Sequence, residues 1–249
     1  MKMHWSCQKG NIMKNYKNLI FDLGDVLLSY RWRGMLMDQG LSAAEAEEIG
    51  HKMFDEPRKL WHQLDLGIRS TEDIIREFEE EFPEDGSIIR WVIEHNEYMH
   101  VARPRVWAMI HALKAAGFHI YLLSNYPYDF FHRHTEYADF MQDLDGMMVS
   151  YMLHLSKPEP GIYQALLLRY RLNPSECIFF DDRFENVDQA RKLGIDAVQV
   201  YSQESLLDDL KSILAQGENF DWEQLPSVSK KAGSYPSEST WTSGSVREE

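Results

Sequence analysis

The hydrophobic pattern changes its grammar twice along the chain. Asn18-Leu19-Ile20-Phe21-Asp22 is apolar on consecutive positions, as in a strand buried on both faces, and it closes on a carboxylate followed by a glycine turn. After Tyr30 the spacing becomes helical. Arg33–Met37 and Ser42–Phe54 carry apolar residues at helical intervals, with Ser42 as the N-cap of the second. Ser70 caps a further helix, Thr71–Phe82, in which Ile74, Ile75 and Phe78 face one way and acids the other. Pro83-Glu84-Asp85-Gly86 breaks it, and Ile88–Val101 resumes the pattern with Trp91, Val92 and Met99. The block from 31 to 102 shows no strand pattern and reads as an all-helical insert.

From Pro104 onward helices and strands alternate. Pro104 opens a helix, Arg105–Ala116, stopped by Gly117. Phe118–Leu123 is a strand ending at Ser124-Asn125, Tyr128–Thr135 a helix, and Gly146–Ser150 a short strand. Pro160 starts a helix running to Tyr170, and Cys177–Phe180 is a strand ending at Asp181-Asp182. Glu185–Leu193 is a helix stopped by Gly194, Ala197–Val200 a strand and Leu206–Ala215 a last helix. Strands joined by crossover helices predict an α/β fold, a Rossmann-like doubly wound parallel sheet. The predicted organisation is a 1–16 N-terminal extension, a core from 17–30 and 103–217, a helical cap at 31–102 and a disordered tail at 226–249. Trp241 is read as an exposed ring of that tail. Met13, just ahead of the first compact segment, is an alternative start to Met1.

Composition narrows the function. The 249 residues carry 44% hydrophobic and 27% charged positions, ordinary for a globular enzyme. A net charge of −14 disfavours nucleic-acid and anionic-membrane partners, which require basic patches. A phosphate site on such a surface has to supply its own positive charge. Only Cys7 and Cys177 are present, with Cys177 read as a buried thiol, and no disulfide framework is expected. No apolar run approaches the roughly 18 residues of a spanning helix, and residues 1–17 have no signal-peptide segment. The expectation is a cytoplasmic protein. The sequence leaves its oligomeric state open.

The strand ends carry the candidate chemistry. Asp22, Ser124-Asn125 and Asp181-Asp182 each close a predicted strand, so a parallel sheet brings them to one edge. Lys157, in Ser156-Lys157-Pro158-Glu159-Pro160-Gly161-Ile162-Tyr163, enters a helix from the same side. Carboxylates, a hydroxyl with an amide and one ammonium are the components of metal-assisted phosphoryl transfer.

These motifs, in this order, resemble the haloacid dehalogenase superfamily, and the helical insert after the first motif resembles its C1-capped type. The resemblance covers residues 17 to 215 and is greatest to the group that includes α-D-glucose-1-phosphate phosphatase and to the N-terminal phosphatase domain of epoxide hydrolases. It implies that Asp22 is the nucleophile of an aspartyl-phosphate mechanism on a small phosphorylated metabolite, a sugar phosphate. It implies Mg²⁺ held by Asp22, the backbone carbonyl of Gly24 and Asp182, hard oxygen ligands for a hard cation. Ser124 and the Asn125 amide would bind phosphate oxygens, and Lys157 would offset charge in the transition state. Asp181 and Asn186 would stand behind the metal ligands.

The match departs from the pattern in two places. The usual first motif has a second carboxylate two residues after the nucleophile, acting as general acid and base; here that residue is Gly24, and Asp25 is out of register by one. Three residues before Lys157 the family often has glycine, and here it is His154, whose side chain either narrows the site, donates to phosphate or folds outward. In the cap, Trp61-His62-Gln63-Leu64-Asp65-Leu66-Gly67 is read as a turn over the active site, from which His62, Gln63 or Asp65 reads a polar substrate. His132 and His134 have no third metal ligand and are read as surface residues. Two other readings remain: a binding or regulatory protein without turnover, and a 2-haloacid dehalogenase using the same nucleophile without metal.

Overall fold

The computed structural model describes residues 16–216. The expectations for residues 1–15 and 226–249, including Met13, Cys7 and Trp241, lie outside the described residues. In chain order the elements are β1 (Asn18–Phe21), β2 (Leu28–Tyr30), α1 (Trp32–Asp38), α2 (Ala43–Phe54), α3 (Leu60–Leu66), α4 (Thr71–Glu81), α5 (Gly86–Glu94) and β3 (His100–Ala102). There follow α6 (Pro104–Ala115), β4 (His119–Ser124), α7 (Tyr128–Thr135), β5 (Leu144–Val149), α8 (Ser150–Leu153), α9 (Pro160–Tyr170), β6 (Cys177–Asp181), α10 (Phe184–Lys192), β7 (Asp196–Gln199) and α11 (Gln203–Gln216).

The main sheet has the order β5-β4-β1-β6-β7, with every neighbouring pair parallel. From β1 the chain winds outward through β4 to β5, then crosses back to β6 on the other side of β1. That reversal is the topological switch at which open α/β sheets bind ligands, and it puts β1 at its centre. The strands are buried throughout β1 and β6, which explains their unbroken apolar runs. Register then sets the site: Phe21 lies level with Phe180, their rings stacked with centroids 5.1 Å apart, so Asp22 and Asp181 leave adjacent strands side by side.

Tyr16, assigned by sequence to the N-terminal extension, is fully buried, so packing reaches one residue further than the pattern indicated. The insert also holds a strand that the pattern missed. β3 pairs antiparallel with β2, closing the two connections between sheet and cap. Three-residue strands on an exposed edge are too short to show alternation, and the apolar spacing through Met99 and Val101 read as continued helix; α5 in fact ends at Glu94. Trp61–Gly67 is likewise no turn: Leu60–Leu66 form α3, with Gly67 as its left-handed C-cap at φ 62°. His134 is buried rather than on the surface, at 2% exposure. It shares the inner face of α7 with Phe130, Phe131 and Thr135.

Candidate active site

At the carboxyl edge of the sheet, β1 delivers Asp22. Its Oδ1 accepts from the Leu23 amide at 2.8 Å, from Ser124 Oγ at 2.7 Å and from Lys157 Nζ at 2.8 Å. Oδ2 accepts no hydrogen bond from the described residues, so one oxygen is fixed and the other is free. Ser124 ends β4, one strand over, at 1% exposure. The phosphate role expected of Asn125 is one for its backbone amide, and its side chain is occupied elsewhere. Its amide group clamps the Lys157 backbone in both directions, Nδ2 donating to the Lys157 carbonyl and Oδ1 accepting from the Lys157 amide, each at 2.8 Å.

Lys157 is 3% exposed and sits between two carboxylates, 2.8 Å from Asp22 and 2.6 Å from Asp181. Burial alone would lower its pKa, but Asp181 and Asp22 outweigh it and hold the ammonium charged. Asp181 has no spare oxygen. Oδ2 takes the Lys157 ammonium, Oδ1 accepts the Arg183 amide at 2.8 Å, and Asn186 Nδ2 spans both oxygens at 2.9 and 3.1 Å. Asn186 is held in turn by the Tyr163 hydroxyl, which donates to its carbonyl at 3.0 Å.

Asp182 differs from its neighbour. Its carboxylate accepts no hydrogen bond from the described residues, and burial together with Asp181, Asp22 and Asp25 pushes its pKa well above the usual carboxylate range. Carboxylate oxygens of Asp22, Asp181 and Asp182 lie within 4.8 Å of one another. Three acids against one ammonium leave excess negative charge in a partly closed site. A hard divalent cation is the chemical complement of that donor set. With Asp181 saturated, the Asp22 and Asp182 carboxylates have oxygens without a partner among the described residues to offer it.

Gly24 stands against a wall of its own. A Cβ at this position would come within 2.4 Å of Tyr30 Cε2 and 2.9 Å of the Tyr30 hydroxyl. Tyr30 therefore fills the space into which a side chain at Gly24 would project. Asp25, at φ 50°, turns away: its Oδ1 accepts from the Tyr30 amide at 3.1 Å and lies 3.7 Å from Arg103. Behind Tyr30, the Tyr126 hydroxyl meets His134 Nδ1 at 2.7 Å, and His134 Nε2 meets the Asn96 carbonyl at 2.8 Å. A carbonyl only accepts, so Nε2 carries the proton and Tyr126 donates to Nδ1.

Asp22, Gly24, Tyr30, Ser124, Lys157 and Asp182 border one cavity of about 770 Å³ between the sheet edge and the cap, with Asp181 and His134 behind its wall. From the cap side it is lined by Trp32, Phe54, Trp61, His62 and Asp65, and from the core side by Phe130 and Arg183 as well as the residues above. Trp61 packs edge-on between Phe54 at 4.7 Å and Phe130 at 5.7 Å, joining the two walls. Gln63, expected to read substrate, does not line the cavity: its side chain donates to the Arg58 carbonyl at 2.9 Å. The helix explains this, since His62 and Asp65 are three residues apart on one face while Gln63 is turned about 100° away. His154 takes the left-handed conformation (φ 56°) that glycine supplies most easily, and its Nδ1 contacts the Leu66 carbonyl at 2.7 Å, tying the core to the end of α3. Arg183 at the cavity and the rings of Tyr30, Trp32 and Phe54 went unrecognised in sequence. Nothing local to them signals a site; only the fold brings them to it.

The haloacid dehalogenase-like hydrolase family matches residues 16–194. The sesquiterpene phosphatase astK of Aspergillus oryzae is 25% identical over 180 residues, covering 72% of this chain and 87% of that protein. Bifunctional epoxide hydrolase 2 of Mus musculus is 30% identical over 148 residues, 58% of this chain but only 26% of that longer protein. Among solved structures, a HAD family enzyme of Bacteroides thetaiotaomicron in complex with magnesium and inorganic phosphate shares the fold, with a TM-score of 0.60 at 22% identity over 76% of this chain and 96% of that one. A dehalogenase shares it equally, with a TM-score of 0.60 at 19% identity over 85% of this chain and 90% of its own. At these identities the structures speak to fold and leave the chemistry to the site.

Proposed function

The chain belongs to the haloacid dehalogenase-like hydrolases, and from that premise we propose that it is a Mg²⁺-dependent phosphatase of a small phosphate monoester, with Asp22 as its nucleophile. The observation that carries this reading is the pairing of a free Asp22 oxygen with the unpartnered Asp182 carboxylate beside it. A dehalogenase works at carbon without a metal and has no use for a second carboxylate left half-buried and unbalanced. The name of the Aspergillus relative, a phosphatase, supports the same choice.

Asp22 Oδ1 is pinned by three donors, which aims Oδ2 at phosphorus for in-line attack and formation of an aspartyl-phosphate. Lys157 keeps its charge and offsets the charge gathering on the phosphoryl oxygens. The Asn125 amide stands at the end of β4 to receive those oxygens, and Ser124 would join it by turning its one proton from Asp22 to the phosphoryl group, while the Asn125 side chain holds Lys157 in place. Asp181 and Asn186 fix the ammonium's position. Asp22, Asp182 and the Gly24 carbonyl would hold Mg²⁺, which supplies charge neutralisation and orientation of the phosphoryl group when bound.

For the organic part of the substrate, a sugar phosphate is the reading that the resemblance suggests, and Trp61 and Trp32 at the cavity can pack against a sugar. The same wall, with Phe54 and Phe130, equally receives an apolar group of the kind that the Aspergillus relative's name implies. A reducing cell interior suits the buried, unpaired Cys177. The deciding assay is hydrolysis of p-nitrophenyl phosphate followed by a panel of metabolite phosphates. Turnover that requires Mg²⁺ and disappears on chelation or in Asp22→Asn supports the proposal. Metal-independent release of halide from a 2-haloacid, or no turnover on any phosphate ester, overturns it.

A further inference from the structure

Cleavage of a phosphate monoester needs a proton for the departing oxygen, and the core wall has none to give. Lys157 is locked between two carboxylates, Asp181 is saturated, and Gly24 has no side chain, with Tyr30 filling the space beside it. Of the remaining acids around the cavity, Asp182 stands beside Asp22 at the position read for the metal, and the others are engaged. Asp25 accepts from the Tyr30 amide, Asp55 meets His51 at 2.7 Å, Glu56 receives the Arg58 amide at 2.6 Å together with that of Leu60, and Glu185 takes Arg183 at 2.6 Å. Glu159 is exposed at the start of α9.

Asp65 is different. It lines the cavity from the cap, partly buried, and its carboxyl has no hydrogen bond or ion pair among the described residues. Its backbone, by contrast, is tied firmly to the core. Ser150 Oγ donates to the Asp65 carbonyl at 2.5 Å and accepts from the Tyr126 amide at 2.9 Å, two residues beyond Ser124. His154 secures the next carbonyl, Leu66, and Gly67 packs so closely on Tyr151 that a Cβ would lie 3.0 Å from its Cβ. A cap residue is thus registered against the strand end that positions phosphate. In-line displacement also sends the leaving group away from Asp22, out of the sheet edge and toward the cap.

We propose that Asp65, presented by the cap helix α3, is the general acid and base of the reaction, an assignment that rests on the phosphatase reading. In the first step Asp22 Oδ2 bonds to phosphorus, the bond from phosphorus to the leaving oxygen breaks, and Asp65 gives its proton to that oxygen. In the second, water bonds to phosphorus while Asp65 takes a proton from it. The bond from phosphorus to Asp22 then breaks, releasing orthophosphate and restoring both carboxyl groups to their starting states. Burial pushes the Asp65 pKa up to about 8, Arg183 opposing, Asp22 adding and Lys157 opposing, so the group starts the cycle protonated at neutral pH.

The test compares wild type, Asp65→Asn and Asp65→Glu on a simple alkyl phosphate, phenyl phosphate and p-nitrophenyl phosphate, with thermal melts to confirm folding. Asp65→Asn should lose roughly 10²–10⁴-fold in kcat/KM on the alkyl ester and progressively less as the leaving group becomes more acidic. With p-nitrophenyl phosphate it should release a stoichiometric burst of p-nitrophenolate and then stall, because phosphorylation no longer needs the acid while dephosphorylation still needs the base. Asp65→Glu should recover part of the loss. An equal loss on all three esters without a burst would mark Asp65 as a substrate-binding or structural residue and overturn the assignment, as would a folded Asp65→Asn with wild-type rates. Absence of turnover in the wild type would instead bring down the phosphatase reading, and this assignment with it.

Discussion

The core wall of the cavity is a hydrogen-bond network open only at Asp22 Oδ2 and the Asp182 carboxylate, whereas the cap wall is a set of packed rings carrying one free carboxyl among the described residues. On the core side Lys157, Asp181 and the Asn125 side chain have their polar groups matched by named partners, Asn186 donates to both Asp181 oxygens, and sheet register fixes where Asp22 and Asp181 stand. On the cap side Trp32, Phe54 and Trp61 hold each other edge to face, and beside His62 the Asp65 carboxyl is the one cap acid at the cavity without a partner among the described residues. The difference assigns separate duties. A saturated network tolerates no substitution and suits invariant chemistry at phosphorus; a wall of rings tolerates exchange and suits choice of the organic group.

The sharpest break in that comparison is Asp22→Asn, which should remove turnover by about 10⁴-fold or more on every ester, leaving no dependence on the organic group. Lys157→Met should come next. It leaves Asp22 and Asp181 buried without a counter-charge, costing about 3–5 kcal/mol in denaturant unfolding without divalent cation, with a rate loss of roughly 10²–10³-fold. A cap substitution should look different. Trp61→Ala should lower the preference for an aryl over a short-alkyl phosphate by about tenfold, read as a ratio of kcat/KM values.

Between the walls, Gly24→Ala should destabilise by about 1–3 kcal/mol, because its methyl group meets the Tyr30 ring. For the same reason Gly24→Asp should not create a working acid while Tyr30 is in place. The smallest effect concerns His134, whose pKa is lowered to about 4 by burial, with His100 and Arg133 adding and the Asn96 carbonyl opposing. Its folded value lies below the unfolded one, so stability is present above about pH 6.5 and is lost as pH falls toward 4. His134→Gln should flatten that acid limb in thermal melts.

The two walls were unequally legible in the sequence. Asp22, Ser124, Lys157, Asp181 and Asp182 announce themselves because each closes an apolar strand or opens a helix, a local pattern that parallel topology then gathers at one edge. The cap wall depends on contacts that no window contains. Leu60–Leu66 is a seven-residue helix whose N-cap, Lys59, is left-handed and makes no side-chain cap, so it carries no start signal and passed for a turn. Reading it as a helix would have separated Gln63 from His62 and Asp65. The fit of Tyr30 over Gly24 joins residues six apart, across a turn and into β2, and nothing in either residue type foretells it. His134 was readable: it falls on the same helical face as Phe130 and Phe131.

The central claim is that Asp22 is phosphorylated during turnover. Acid quench of the wild-type enzyme with Mg²⁺ and excess p-nitrophenyl phosphate, followed by peptide mass spectrometry, tests it directly. The account predicts an acyl-phosphate on Asp22, absent in Asp22→Asn. Steady turnover with no phosphoryl group on Asp22, or with that group on another residue, would contradict it.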